Sequence, residues 1–275
     1  MTLRIIKSDG TAEPFDPQKL QHSLERAGAS DLVAEEITTR IGKELYNGIT
    51  TAQIYRKAFA QLRDHRRSTA ARYSLKRAIL DFGPSGFPFE AYLAELFRAE
   101  GLKAEIDQVV QGGCVEHEVD VVLTRDRTKT YIEAKFHNNA GFKTDLKTVL
   151  YVQARIEDLQ KKSPHNPVQG MVITNTKFTD VAIRYASCVG LELLSWEYPE
   201  KNNLHDRIHM AQLYPITALT TLSHGEKTAL LSQKKVLCQQ LPHDTRSLAS
   251  IGVRGKRADA VLEEVGALCI PGKAI

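Results

Sequence analysis

Nowhere does this 275-residue sequence hold a run of 18 apolar residues, while a membrane-spanning helix needs about 20. Its first ten residues, MTLRIIKSDG, lack the apolar core of a secretory signal. Cysteine is scarce: the four, at 114, 188, 238 and 269, form no CxxC pair. Neither a disulfide framework nor a cysteine zinc site is therefore expected, and a reducing cytoplasm is. There is no internal repeat and no low-complexity tract. Charge of one sign is not in large excess either, with 37 basic against 33 acidic residues and a net charge of +4. That balance mildly favours a polyanionic partner. What is present, 42% apolar and 25% charged residues, is ordinary globular composition. The expectation is a cytoplasmic protein of two or three domains with no membrane partner.

Punctuation divides the chain at 1–85, 86–200 and 201–275. The first part opens with a short strand around Leu3 and Ile5, a turn at Ser8-Asp9-Gly10, and a helix capped by Asp16 with Pro17 at its first position. Further helices are expected over 31–46, 50–65 and 67–81, before the break Phe82-Gly83-Pro84-Ser85-Gly86. The second part reads as a helix (89–100), strands near 103–111, 118–124 and 129–136, a helix (145–162), a strand (168–174), a helix (178–187) and a strand (191–195). Late strands alternating with helices indicate an α/β sheet covered on both faces. The third part is mostly helical. The fold class expected is thus multidomain α/β, with a small mostly helical first domain, a central α/β sheet and a small all-α C-terminal module.

The chemistry concentrates in Glu118-Val119-Asp120-Val121-Val122-Leu123 and Thr130-Tyr131-Ile132-Glu133-Ala134-Lys135, joined by the polar turn Arg125-Asp126-Arg127-Thr128. With those four residues as the loop, cross-strand partners sum to 253, and Asp120 faces Glu133 with Cβ atoms about 5 Å apart. Period two places Glu118, Asp120, Glu133 and Lys135 on one face, and Val119, Val121, Leu123, Ile132 and Ala134 on the other. Carboxylates facing each other across a ladder repel, and a hard divalent cation relieves that repulsion. Lys135 could orient or deprotonate an attacking water, or offset charge on a phosphate. His117, beside them, falls on the apolar side by parity.

Asp120 followed by Glu133-Ala134-Lys135 resembles the PD-(D/E)xK nuclease core, above all Mrr-type restriction endonucleases and Holliday-junction resolvases, over 87–195. The resemblance implies catalytic residues Asp120, Glu133, Lys135, Glu90 on the preceding helix and Gln153 on the following one. It implies a metal, Mg2+ or Mn2+, held by Asp120, Glu133 and Glu90.

At the N-terminus, Lys7-Ser8-Asp9-Gly10 and Lys19, near an aromatic and a helix start, suit an anionic nucleotide. Ile6-Lys7-x-Asp9-Gly10, Glu13-Pro14-Phe15-Asp16-x-x-Lys19-Leu20, Gly48-Ile49-Thr50-Thr51-x-x-Ile54 and Ala71-Arg72-Tyr73 together resemble the ATP-cone domain over 1–82. That likeness implies binding of ATP or dATP by Lys7, Glu13, Phe15, Lys19 and Thr51. Where the family has an arginine after the first lysine, this chain has Ser8.

Near the C-terminus, 248–258 is similar to a helix-hairpin-helix element, with Arg254, Lys256 and Arg257 placed to grip DNA phosphates. Taken together, the expected function is a divalent-metal-dependent DNA endonuclease regulated by ATP or dATP, in restriction, phage defence or repair, working as a homo-oligomer (dimer or tetramer). The rival is a non-catalytic nucleotide-responsive DNA-binding protein on a decayed nuclease fold. Intact Asp120, Glu133 and Lys135 argue against decay.

Overall fold

The computed structural model describes residues 3–269. The chain opens with the hairpin β1 (Arg4–Ile6) and β2 (Ala12–Pro14), and then runs through α1 (Pro17–Arg26), α2 (Asp31–Lys43), α3 (Thr51–His65), α4 (Arg67–Tyr73) and α5 (Leu75–Leu80). Asp16 caps α1 by accepting from the backbone of Gln18 and Lys19, and Thr50 and Gln53 cap α3 reciprocally. The helix expected over 67–81 is broken at Ser74, whose hydroxyl donates to the Ala71 carbonyl and so competes with the helical ladder. Leu20, Leu24, Ile37, Ile41, Ile54, Ala58 and Leu62 bury the apolar stripes of α1, α2 and α3 in one core.

Next come α6 (Phe87–Ala99), β3 (Lys103–Gln111), β4 (Glu116–Arg125), β5 (Thr128–Lys135), β6 (Lys143–Thr144), α7 (Leu146–Lys162), β7 (Val168–Thr174), β8 (Lys177–Phe178), α8 (Asp180–Val189), β9 (Glu192–Leu194) and α9 (Leu204–Ala211). A five-stranded sheet has the order β3-β4-β5-β7-β9, antiparallel through β5 and parallel beyond it. The short pair β6 and β8 was not legible in the sequence. The crossover β5-α7-β7 lays α7 on the sheet, where Val149, Val152, Ile156 and Leu159 meet Val122, Tyr131 and Val172. Gly170 on β7 permits that approach, since a Cβ there would stand 2.6 Å from Ile156. Alternate residues Val121, Ile132 and Ile173 are also fully buried, and α6 lies against β3 and β4.

The chain ends in α10 (His224–Ser232), α11 (Thr245–Ser250) and α12 (Lys256–Cys269). Contacts divide it into two compact units. Unit 2 is Ile79–Leu213. Unit 1 combines the described residues up to 78 with those from 214 onward. Within unit 1, Thr217 donates to the Ala78 carbonyl at 2.6 Å and Arg72 to the Ala267 carbonyl at 3.3 Å. Buried Glu264 on α12 accepts the N–H and hydroxyl of both Thr220 and Thr221, satisfying a carboxylate that burial would otherwise penalise. No described helix is long and apolar enough to cross a membrane.

Candidate active site and nucleotide-binding face

The β4-β5 register is the one read from the sequence: Val121 faces Ile132 and Thr124 faces Lys129. One detail differs. Arg125 pairs with Thr128, so the turn has two residues, Asp126 and Arg127, with Asp126 at φ 54°. The ladder stops at Val121. Beyond it the Asp120 side chain takes over, its Oδ2 accepting the Ala134 N–H at 2.6 Å. This bond ties the first carboxylate to the strand carrying Glu133 and Lys135.

The face alternation expected along β4 requires correction. Val119 joins the core under α7 together with Val122, and His117 reaches Asp158 on α7 at 3.0 Å. The alternation therefore shifts by one residue across Asp120. Opposite it on β3, Asp107 has φ 54° and drops out of the ladder between Gln108 and Ile106. An irregularity of this kind re-aims side chains, and strand edges next to active sites often carry one. α7 covers Glu133, which is only 6% exposed, whereas Glu118 stays exposed.

Two cations divide Glu133 between them. Lys135, 41% exposed, is paired with Oε1, while Arg155 from α7, 7% exposed, donates through Nη1 to Oε2 at 2.6 Å. A second Arg155 nitrogen, Nη2, donates to the Tyr151 hydroxyl at 3.0 Å, and the guanidinium lies 4.8 Å from the Tyr151 ring centroid. Its Nε is buried without a partner, a cost of about 1–3 kcal/mol. Glu90, in the first turn of α6, feels the same carboxylates. Burial first, and then the charges of Asp120, Asp107 and Glu133, push its carboxyl up to about 7. Asp120 is raised mainly by burial, against the lowering effect of its Ala134 bond.

Glu90, Asp120, Glu133 and Lys135 thus form one electrostatic cluster. Gln153 is placed otherwise: it donates to Glu157 one turn further along α7, at 3.0 Å on exposed surface. The α7 residue that touches the carboxylates is Arg155, which the sequence reading passed over. An arginine in register with the apolar stripe of Val149, Val152, Ile156 and Leu159, one turn after Tyr151, is the signal that was available. His117 serves a different purpose. With the backbone N–H groups of Cys114 and Val115 it satisfies Asp158, clasping the β3-β4 turn to α7. Those bonds, with that of the Cys114 thiol first, hold the Asp158 carboxyl well below the usual range.

Among the described residues no group of three His, Cys, Asp or Glu side chains is arranged to hold a metal ion by itself. Asp120 and Glu133 nonetheless suit Mg2+ or Mn2+. These hard cations take one or two carboxylates and complete their shell with water and phosphate oxygens. Asp120 Oδ1 carries no hydrogen bond comparable to that of Oδ2, and Oε1 of Glu133 is held by the more exposed of its two cations.

In unit 1, three of the five residues that the resemblance ties to a nucleotide, Lys7, Glu13 and Lys19, lie near one another. Lys7 pairs with Glu13 at 2.6 Å. That hydrogen bond, opposed by partial burial and aided by Lys7 and Lys19 charge, lowers the Glu13 carboxyl. Ile6 donates to the Ile49 carbonyl and bridges Thr50, which sets Lys7 beside Thr51 and the amino end of α3. Phe15 packs against the domain core. Two lysines beside a helix start are an anion-binding arrangement. At the other end of the chain, α11 and α12 flank the turn at 251–255. Arg254 and Lys256 are exposed there, whereas Arg257 is bound at both nitrogens by Glu226, at 2.9 and 3.1 Å.

Fold and site define a restriction-endonuclease-like domain in a multidomain α/β chain. The family comparisons agree: residues 84–197 match the restriction endonuclease family of the Mrr catalytic type, 3–81 the ATP cone domain, and 214–269 the AF1548-like C-terminal family. The chain is 37% identical over 173 residues to an uncharacterised protein of Archaeoglobus fulgidus, covering 97% of that protein and 62% of this one. It is 34% identical to the crystal structure of the protein of unknown function AF1548, with a TM-score of 0.56, over 98% of that chain and 67% of this one. The chain belongs to the AF1548 family, with an ATP-cone domain at its N-terminus.

Proposed function

We propose that the protein is a divalent-metal-dependent nuclease acting on phosphodiester bonds of DNA, and that its cone domain binds ATP or dATP to regulate it. The observation carrying this reading is the convergence of Asp120, Glu133 and Lys135 on adjacent strands, with Asp120 tied to the backbone one residue before Lys135.

Asp120 and Glu133 would hold Mg2+ or Mn2+, which supplies Lewis-acid stabilisation of the phosphate and a more acidic bound water. Lys135 leaves Glu133 Oε1 when that oxygen is needed, and its ammonium then faces the substrate phosphate or the attacking water. Arg155 stays on Oε2, so Glu133 keeps its orientation and its charge. Glu90, whose carboxyl burial and the neighbouring carboxylates raise in the metal-free site, would accept a proton from the water as the water oxygen attacks phosphorus. The bond from phosphorus to the 3′ oxygen would break and that oxygen would take a proton from solvent, leaving a 5′-phosphate and a 3′-hydroxyl. Arg254 and Lys256 in unit 1 add phosphate contacts, with Arg257 serving mainly to join α12 to α10.

The test is incubation with plasmid, linear and single-stranded DNA, with and without Mg2+ and ATP. Metal-dependent cleavage that disappears in Asp120→Asn supports the reading. Intact DNA under every condition, or cleavage undiminished in Asp120→Asn, overturns it.

A further inference from the structure

Tyr151 sits in an unusual position for a surface tyrosine. It is 59% exposed, on the first turns of α7 after the Asp145 cap, and yet it is fixed at two points. Its hydroxyl accepts from Arg155 Nη2, and the same guanidinium backs its ring at 4.8 Å. Arg155 in turn is buried and bound to Glu133. One guanidinium thus locks the plane of an exposed aromatic ring to the position of a candidate catalytic carboxylate. Beside it Leu150 is 43% exposed, extending the apolar surface. Surface tyrosines ordinarily turn among rotamers, and an aromatic face left open costs hydrophobic free energy.

A flat, immobilised ring beside a phosphodiester-cleaving site has one natural complement in a nucleic acid, the face of a base. Within a duplex those faces are covered by neighbouring bases. Only an unstacked base in a single strand, flap or junction can lie on the ring. The Tyr151 hydroxyl, accepting from Arg155, keeps its own hydrogen for a phosphate oxygen, and the exposed ring face is left for a base. We infer that Tyr151 is a base-stacking platform, and that the strand this site accepts is single-stranded or locally unpaired next to the scissile phosphate. The inference rests on the nuclease reading for the scissile phosphate, although stacking itself needs no chemistry. Arg155 acts here as a positioning residue, aligning ring and carboxylate together.

The experiment uses the full-length protein in EDTA, so that cleavage is silent. Single-stranded oligonucleotides carrying 2-aminopurine at successive positions are titrated, and the same strands are tested annealed to their complements. The wild type is expected to change the 2-aminopurine fluorescence of the single strand at one or two positions and to bind the single strand more tightly than the duplex. Tyr151→Ala, at an exposed position and checked by thermal melting, should lose the fluorescence change and bind the single strand about 5- to 150-fold more weakly. Tyr151→Phe keeps the ring and should retain the signal. Equal fluorescence changes in wild type and Tyr151→Ala, no change with the wild type, or tighter binding of the duplex would each overturn the inference. If the stacking signal is intact but Mg2+ produces no cleavage of any strand, the nuclease reading falls and the platform stands.

Discussion

Arg155 and Glu133 meet through a 2.6 Å hydrogen bond with both side chains 7% exposed. They come from a helix and a strand, and the pair joins the α7 layer to the sheet at the place where the candidate chemistry is concentrated. Because Lys135 holds the other oxygen of Glu133, the carboxylate is doubly compensated. This changes which variants are informative, since Glu133 cannot be altered without leaving a guanidinium buried and unpaired.

Glu133→Gln should destabilise unit 2 by about 3 kcal/mol, because it leaves the buried Arg155 charge without a carboxylate, and Arg155→Met, which leaves Glu133 its Lys135 partner, should cost less. The double variant should lose less than the sum of the two. Denaturant unfolding of the four proteins measures this, and strictly additive losses would mean the pair is not coupled.

Lys135→Ala removes a half-exposed ammonium and leaves Glu133 its Arg155 partner, so melting should change little, within about 1 kcal/mol. Cleavage should fall at least about 100-fold, the ordinary loss for a group acting on the reacting atoms. Undiminished cutting under metal-replete conditions would remove the hairpin as the active site.

Glu90 gives a pH signature. Its carboxyl is raised to about 7 from the usual carboxylate value near 4.5, so the folded state holds a proton that the unfolded state has already released. Below pH 4 both states are protonated and nothing is lost. Between about pH 4.5 and 7 folding becomes progressively less favourable, and above 7 the penalty levels off. Metal-free Glu90→Gln should therefore be more stable than the parent at pH 8, by on the order of 1 kcal/mol after solvent screening, and nearly equal to it at pH 4. Equal melting temperatures at pH 8 would show that Glu90 is not penalised.

ATP or dATP should raise the melting temperature of unit 1, since a ligand bound only by the folded state stabilises it, by about 2.7 kcal/mol at 100 times its Kd. Lys19→Ala should shrink that shift by removing one of the two lysines at the Glu13 end of the hairpin. Calorimetry on the full chain showing no adenine-nucleotide binding would end the nucleotide assignment.

If the cone regulates the nuclease, saturating ATP or dATP should alter either particle size by light scattering or cleavage rate, with Mg2+ in excess over total triphosphate. The effect reflects different nucleotide affinities of two states, commonly about 1–3 kcal/mol of coupling. Size and rate both unchanged with ATP, with dATP and without nucleotide would exclude the link.

Much of the architecture was legible in the sequence because its determinants are local. Alternation and a polar turn set the β4-β5 register, and Asp16 announced its helix through a side chain that reaches only two or three residues ahead. The order of elements followed from the same periodicities. What the sequence left open depends on contacts between distant segments. Arg155 lies 22 residues from Glu133, Asp158 lies 41 from His117, and Glu264 lies 44 from Thr220. Nothing in local propensity selects such pairs. The shift in face at Asp120 was equally hidden, since it arises from Asp107 on the neighbouring strand. The closing of the C-terminal helices onto the N-terminal domain is of the same kind: Arg72 finds the Ala267 carbonyl only once both helices are packed. Tertiary structure decides these matters because a buried charge must find its partner in space, wherever the chain has placed it.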